Sequence, residues 1–133
     1  MNTQQGIFLV DWDAERGASL AVRLKVEGWA VELESSDGGR AYRRIRGASP
    51  RAVVIVASSK IGHGLQTALS LRKARATQSL PIVFVDAGAE AEERLRGAVA
   101  ASVFTTTDDL VRTLKELAQG QAIQEESDAI DED

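Results

Sequence analysis

The apolar residues of this chain fall into short runs, which are separated by stretches with helical spacing. Four runs are almost continuously apolar: Ile7–Val10, Ala52–Ala57, Pro81–Val85 and the shorter Ser102–Thr105. Continuous apolar runs are typical of strands that are buried on both faces of a parallel sheet. A fifth segment, Ala30–Glu34, alternates apolar and acidic residues, so it predicts a strand with one exposed face that carries Glu32 and Glu34.

Amphipathic segments fill the gaps between these strands. The predicted helices are Ala14–Glu27, Gly39–Gly47, Leu65–Ala76, Ala89–Val99 and Asp108–Gln119. Gly28 and Gly120 are expected to end the first and the last helix. Strand and helix thus alternate five times, which predicts a flavodoxin-like (βα)5 fold, a doubly wound five-stranded parallel sheet with helices on both faces.

Composition narrows the class of protein. The chain has 133 residues, of which 44% are hydrophobic, and this is enough for one domain with a core. It contains no cysteine, which excludes disulfides and thiolate metal sites. No apolar run is long enough to span a membrane, and the first residues carry no basic signal-peptide region. We therefore expect a cytoplasmic protein.

The charges are segregated along the chain. Gln121–Asp133 contains six acids, no base and no apolar periodicity, and predicts a disordered acidic tail after a domain at 1–120. Gly38–Val85 contains nine bases and no acid. The bases expected to form a partner-binding face on the second and third helices are Arg40, Arg43, Arg44, Arg72, Lys73 and Arg75. This basic face is expected to bind an acidic protein surface or the chain's own tail, because no nucleic-acid-binding motif accompanies the bases.

Several local sequences resemble those of response-regulator receiver domains. They are Ile7-Phe8-Leu9-Val10-Asp11-Trp12-Asp13, Pro50–Val56, Gly64 and Leu80–Val85. Their order and spacing extend the resemblance over Gly6–Gln119. The resemblance implies a role in two-component signalling. It also implies a site with acids for Mg²⁺ after strand one, an acceptor Asp after strand three, a Ser or Thr after strand four and a Lys after strand five.

The acids after the first strand only partly fit that site. Asp11 matches the first acid, whereas Trp12 stands where the second is expected, and an indole there could fill the space of the metal. Asp11 and Asp13 are the residues that a divalent ion would use, together with Asp86. We favour a capping role for them, because the carboxylate that should complete the site is missing. No cofactor is therefore expected, Mg²⁺ included.

The other functional positions are altered as well. Val56 stands at the acceptor position, and an alignment shifted by one residue gives Ala57, which cannot accept phosphate either. Asp86 replaces the hydroxyl residue, and Thr105 or Thr106 replaces the lysine. These changes predict that aspartyl phosphorylation is lost. We also expect Asp86 to bond to a loop or to a threonine hydroxyl.

These observations favour a stand-alone pseudo-receiver that is not an enzyme and binds signalling proteins without phosphotransfer. Three alternatives remain open: a conventional response regulator with a displaced acceptor, a small metal-dependent hydrolase, and a nucleic-acid-binding accessory protein. A hydrolase would use the crevice between Asp11 and Asp86. The one histidine, His63, is expected on a loop, and no nucleophile elbow is present.

Overall fold

The computed structural model of the protein describes the backbone of residues 6–131 and the side chains of residues 6–121. Its strands are β1 (Gly6–Val10), β2 (Ala30–Glu34), β3 (Ala52–Val56), β4 (Ile82–Val85) and β5 (Ser102–Thr105). Its helices are α1 (Ala14–Val26), α2 (Gly38–Ala48), α3 (Ile61–Lys73), α4 (Ala89–Ala98) and α5 (Leu110–Asp131). The strands form one parallel sheet in the order β2-β1-β3-β4-β5, so the predicted doubly wound fold is confirmed.

Two apolar layers cover the two faces of the sheet. In β3, Val54 and Val56 face the layer formed with α1 and α5, whereas Val53 and Ile55 face the layer formed with α2, α3 and α4. Every residue of β3 is buried, which explains why its sequence is continuously apolar. Within residues 6–131, no helix combines the length and the apolar character needed to cross a bilayer.

Gly28 ends α1, as the sequence predicts. Its φ of +108° lies in the left-handed region, which costs glycine little because it has no Cβ. The Gly28 N–H donates to the Lys25 carbonyl at 3.0 Å, and the Trp29 N–H donates to the Leu24 carbonyl at 3.2 Å. These bonds satisfy the last carbonyls of α1 and turn the chain toward β2.

The last helix is longer than the sequence predicts. It runs through Gly120 to Asp131, so residues 121–131 are helical rather than a disordered tail, and residues 132–133 lie outside the described part. A glycine ends a helix when it turns into the left-handed region, and among the described glycines only Gly28 and Gly88 have positive φ. Within a helix, glycine costs only about 1 kcal/mol relative to alanine. The Gln121 side chain donates to the Arg51 carbonyl at 3.2 Å.

The third helix also begins earlier than predicted, at Ile61 rather than Leu65. His63 therefore lies in the first turn of α3 and not on a loop. Gly64 is buried against Ile55, whose side chain would be only 3.0 Å from an added Cβ. This close approach brings the start of α3 down onto the sheet.

Arg72 was expected on the partner-binding face, but it is tied to the fold. Its guanidinium donates to the carbonyls of Ala100, Gln78 and Leu80, at 2.9, 3.2 and 2.7 Å. These carbonyls lie before β4 and before β5, so one side chain holds two connections against α3. Burial lowers the pKa of Arg72 from its ordinary value.

We expect Arg72→Met to destabilise the protein, because it removes the donors and keeps most of the apolar stem. Hydrogen bonds from a charged donor contribute about 1.5–3 kcal/mol, so the free energy of unfolding should fall by about 2 kcal/mol. Arg75→Met is the matched control, since Arg75 is an exposed arginine nearby. Urea unfolding of both variants measures the effect, and equal loss in the two would contradict this role of Arg72.

Candidate functional site

Asp11 follows β1 at the carboxyl edge of the sheet, where parallel α/β folds place their ligands. Its side chain is fully buried. Arg16, in the first turns of α1, forms a bidentate pair with it, with Nε 2.9 Å from Oδ2 and Nη2 2.6 Å from Oδ1. The Asp13 N–H also donates to Oδ1, at 3.0 Å. Both carboxylate oxygens of Asp11 are thus used by the chain itself.

The pair between Asp11 and Arg16 reaches the β3–α3 connection. Arg16 Nη2 also donates to Ser59 Oγ at 3.2 Å. Hydrogen bonding to Asp11 raises the pKa of Arg16, with the charges of Asp13 and Asp86 adding to it against the opposing effect of burial. The guanidinium is therefore a permanent positive charge beside the acid that the resemblance assigns to a metal.

Asp13 caps α1. Its Oδ1 accepts from the Arg16 N–H at 3.0 Å, and its backbone is extended, as an N-cap requires. Among residues 6–121, no group of three or more His, Asp or Glu side chains is placed to hold a metal ion. Asp13 thus caps α1, as the sequence favoured, whereas Asp11 pairs with Arg16, which the sequence did not suggest.

Val56 lies beneath a cavity of about 240 Å³ at the same edge. The side chain is 1% exposed, and it is covered by Arg16, Arg23 and Thr107 among others. Arg23 Nη1 donates to the Thr107 carbonyl at 3.0 Å, which joins α1 to the loop after β5. The acceptor position of the resemblance therefore carries a buried aliphatic side chain.

Asp86 joins the ends of β4 and β5. It accepts from the Thr107 N–H at 3.1 Å and from Thr107 Oγ1 at 2.5 Å. The expected bond between Asp86 and a nearby threonine is therefore confirmed. Asp86 has a φ of +57°, a left-handed conformation that aspartate tolerates better than most residues but that still costs energy.

The neighbouring threonines have other partners. Thr105 Oγ1 bonds to Thr113 Oγ1 at 2.7 Å, and Thr106 Oγ1 accepts from the Asp109 N–H at 3.2 Å. Thr107, the partner of Asp86, is the threonine that lines the cavity above Val56.

Trp12 does not fill the space beside Asp11. Its indole lies on the other face of the sheet, edge-on to His63 with ring centroids 5.2 Å apart. It also lies close to Gly38, at the start of α2. Trp12 Nε1 is buried without a hydrogen-bond partner among the described residues. The cation of Arg16, and not this indole, occupies the position next to Asp11.

Glu34, at the end of β2, was expected to be exposed but is only 4% exposed. It accepts from Arg40 Nε at 2.7 Å and from Arg44 Nη1 at 3.2 Å, and it also accepts the N–H groups of Ser36 and Asp37. Arg44 bonds further to Glu32. Arg40 and Arg44 are therefore bonded to acids of the domain itself, although both side chains stay partly exposed.

Of the predicted basic face, Arg43, Lys73 and Arg75 are exposed and form no ion pair with a described carboxylate, whereas Arg40 is about half-exposed but paired with Glu34. The predicted face is thus divided into bases that are bonded within the domain and bases that form no described ion pair. Arg16 and Glu34 were missed from the sequence. Their signal is a common one: an acid ends a strand, and an arginine follows about one helical turn into the next element.

Solved structures of receiver domains have the same fold. The chemotaxis response regulator CheY4 of Vibrio cholerae has a TM-score of 0.72 and 18% identity over 86% of this chain and 99% of that chain. A response regulator receiver protein from Sinorhizobium medicae has a TM-score of 0.68 and 23% identity over 86% and 94%. This chain has the receiver fold. No family model and no curated protein matches its sequence.

A third similar structure is the receiver domain of a sensor histidine kinase from Pseudomonas aeruginosa. Its TM-score is 0.72 and its identity 19%, over 86% of this chain and 98% of that chain. That structure has a magnesium ion coordinated in its active-site cleft. The receiver fold of the present chain instead has an arginine bound to the acid after β1.

The environment of Glu34 predicts how stability depends on pH. Hydrogen bonding from Arg40 is the main reason that the pKa of Glu34 lies far below its ordinary value of 4.5, and the backbone donors add to it. The unfolded chain therefore binds a proton more readily than the folded chain as pH falls through about 4.5. The stabilisation from Glu34 is complete above that pH and decreases below it.

We expect Glu34→Gln to lower the free energy of unfolding by about 2 kcal/mol near pH 7, because the charged acceptor is lost. The difference in the free energy of unfolding between wild type and variant should shrink as pH falls below about 4.5, because ionised Glu34 then stabilises the wild-type protein less. Urea unfolding across this range measures it. Glu32→Gln, on the same strand but half-exposed, is the control. A difference that does not change with pH would contradict the assignment.

Proposed function

We propose that this receiver fold is a pseudo-receiver, a signalling module that binds other proteins without being phosphorylated. The observation that supports this most strongly is the pair between Arg16 and the buried Asp11. A hard cation such as Mg²⁺ needs free oxygen ligands in near-octahedral geometry. Here the carboxylate of Asp11 is neutralised by a guanidinium from the same chain.

The acceptor for phosphotransfer is missing too. Phosphoryl transfer to protein needs an oxygen nucleophile and positive charge around the transferred group. Val56 offers no oxygen, and the β3–α3 connection has no carboxylate because Gly38–Val85 contains no acid. This argues against a conventional regulator with a displaced acceptor. It also argues against a hydrolase, whose proposed acids Asp11 and Asp86 are bonded to Arg16 and Thr107.

The output of such a module is a contact made by its surface. We propose that the partners are signalling proteins with acidic surfaces, met in the cytoplasm and bound through exposed bases of α2 and α3. A nucleic-acid partner is less well supported, because Arg40, Arg44 and Arg72 of the basic block are already bonded to acids or carbonyls of the domain.

We expect no phosphorylation by a small-molecule donor. The full chain, incubated with acetyl phosphate and Mg²⁺, should gain no phosphoryl group in its intact mass, because Val56 cannot accept one. A conventional receiver treated in parallel is the positive control. Val56→Asp should not restore full phosphorylation, since Arg16 still holds Asp11 and no lysine compensates the charge. A stoichiometric mass gain by the wild-type chain would overturn the proposal.

We also expect a single resting conformation. The bonds from Thr107 to Asp86 fix the ends of β4 and β5, where the resemblance places a hydroxyl that moves. Beryllofluoride with Mg²⁺ should therefore leave the ¹H–¹⁵N spectrum unchanged. Thr107→Val is the useful comparison, because it removes one of these bonds and keeps the shape. Broad shifts in the wild-type spectrum would show that switching survives.

A further inference from the structure

A groove of about 640 Å³ separates α2 from α3, on the opposite face of the sheet from Arg16. Its volume lies within the range of sites that enclose a ligand or a few side chains. The residues that matter to its shape are Gly38, Gly39, Tyr42, His63, Thr67 and Lys73. The first turn of α2 carries two glycines, and neither adds a side chain of its own to that end of the groove.

A side chain at position 38 would be tightly packed. A Cβ there would be 3.1 Å from Thr67 Oγ1 and 3.7 Å from the Trp12 ring. The start of α2 therefore touches α3 at this point. Tyr42 and His63 line the groove with aromatic surface, and the His63 ring contacts the Trp12 ring edge-on. Such walls fit an apolar side chain of a partner.

The charge of the groove is positive. Lys73 lines it, Arg75 follows the lining residue Ala74, and a guanidinium nitrogen of Arg43 lies 3.5 Å from the Cβ position of Gly39. All three bases are exposed, and none forms an ion pair with a described carboxylate. The nearest acid on α2 is its cap, Asp37, which accepts the Arg40 N–H. The groove thus joins aromatic walls to positive charge, which Asp37 partly offsets beside Arg43 but not beside Lys73 and Arg75.

From this combination we infer that the α2–α3 groove binds an acidic segment of a partner protein, with an apolar side chain held between Tyr42 and His63. Charge complementarity selects the acidic class, because Arg43, Lys73 and Arg75 flank the groove. The inference rests on the proposed function, since it supplies the contact by which an unphosphorylated module would act. Exposed charges such as these are screened by salt, and they affect mainly the specificity and the rate of association.

The test uses the full chain, ¹⁵N-labelled, and two synthetic peptides. The acidic probe is acetyl-Gly-Asp-Glu-Leu-Phe-Glu-Asp-Gly-amide, and the neutral probe has Asn and Gln in place of its acids. We expect the acidic probe to shift the amides of Gly38, Gly39, Thr67 and Ala74, with an affinity that falls as salt is added. The neutral probe should bind more weakly at the same amides.

Two kinds of variant separate the groove from general attraction between charges. The double variant Arg43→Glu with Lys73→Glu should weaken the acidic probe by about tenfold, as expected for reversal of two exposed charges. Arg94→Glu, an exposed arginine on α4, is the matched charge control and should change it little. Ser70→Trp should fill the groove and reduce binding without a change of charge, whereas Ala98→Trp on α4 should not.

Each other outcome overturns the inference. Shifts confined to other surfaces, or equal weakening by Arg94→Glu, would show that no groove is used. Concentration-dependent shifts of the groove amides without peptide would mean that the acidic segment of a second copy is the occupant. Tighter binding of a single-stranded oligonucleotide at the same amides would make nucleic acid the ligand. If the peptides do not bind in the groove, the mass measurement with acetyl phosphate still tests the pseudo-receiver proposal, so the two proposals can be rejected separately.

Discussion

The buried carboxylate of Asp11 sets the constraint on which the rest of the site depends. An ionised carboxylate that is removed from water must be compensated by charge and hydrogen bonds, because its desolvation costs several kcal/mol. In this chain the compensation is internal, from the Arg16 guanidinium and the Asp13 N–H. The position of Arg16 also affects two other parts of the site. Its guanidinium donates to Ser59, and its side chain lines the cavity above Val56.

The same solution recurs at the neighbouring strand. Glu34 ends β2 as Asp11 ends β1, and each is held by an arginine from the following helix, Arg40 and Arg16 respectively. The two strand ends are linked directly, because the Asp11 N–H donates to the Glu34 carbonyl at 3.2 Å. Farther along the same edge, Asp86 accepts a hydrogen bond from the Thr107 hydroxyl. The edge that would be an open site in a parallel α/β fold is thus closed by local side-chain pairs.

Much of the fold could be predicted from the sequence, because the central strands are buried on both sides and their apolar runs are continuous. The burial of Glu34 could not, since alternation along β2 does not show that the β2–α2 turn folds two N–H groups and two arginines onto one carboxylate. The role of Arg72 could not be predicted either, because its acceptors are backbone carbonyls, which every residue type carries. The prediction that the last helix ends at Gly120 was wrong, because glycine allows a helix to end but does not force it to.

The division of the basic block follows from the geometry of α2. Residues three and four apart lie on one side of a helix, so Arg40 and Arg44 both point to Glu34 at the sheet edge. Arg43 lies about 100° around the helix from Arg44, beside Gly39 and the groove to α3. The run of arginines therefore has two parts: the inner part, Arg40 and Arg44, compensates the buried Glu34, and the outer part, Arg43, is only partly offset by the exposed Asp37. Only the outer part has charge left for a partner, and this is why the α2–α3 groove, rather than the whole basic block, is the surface on which a partner's acids would gain most.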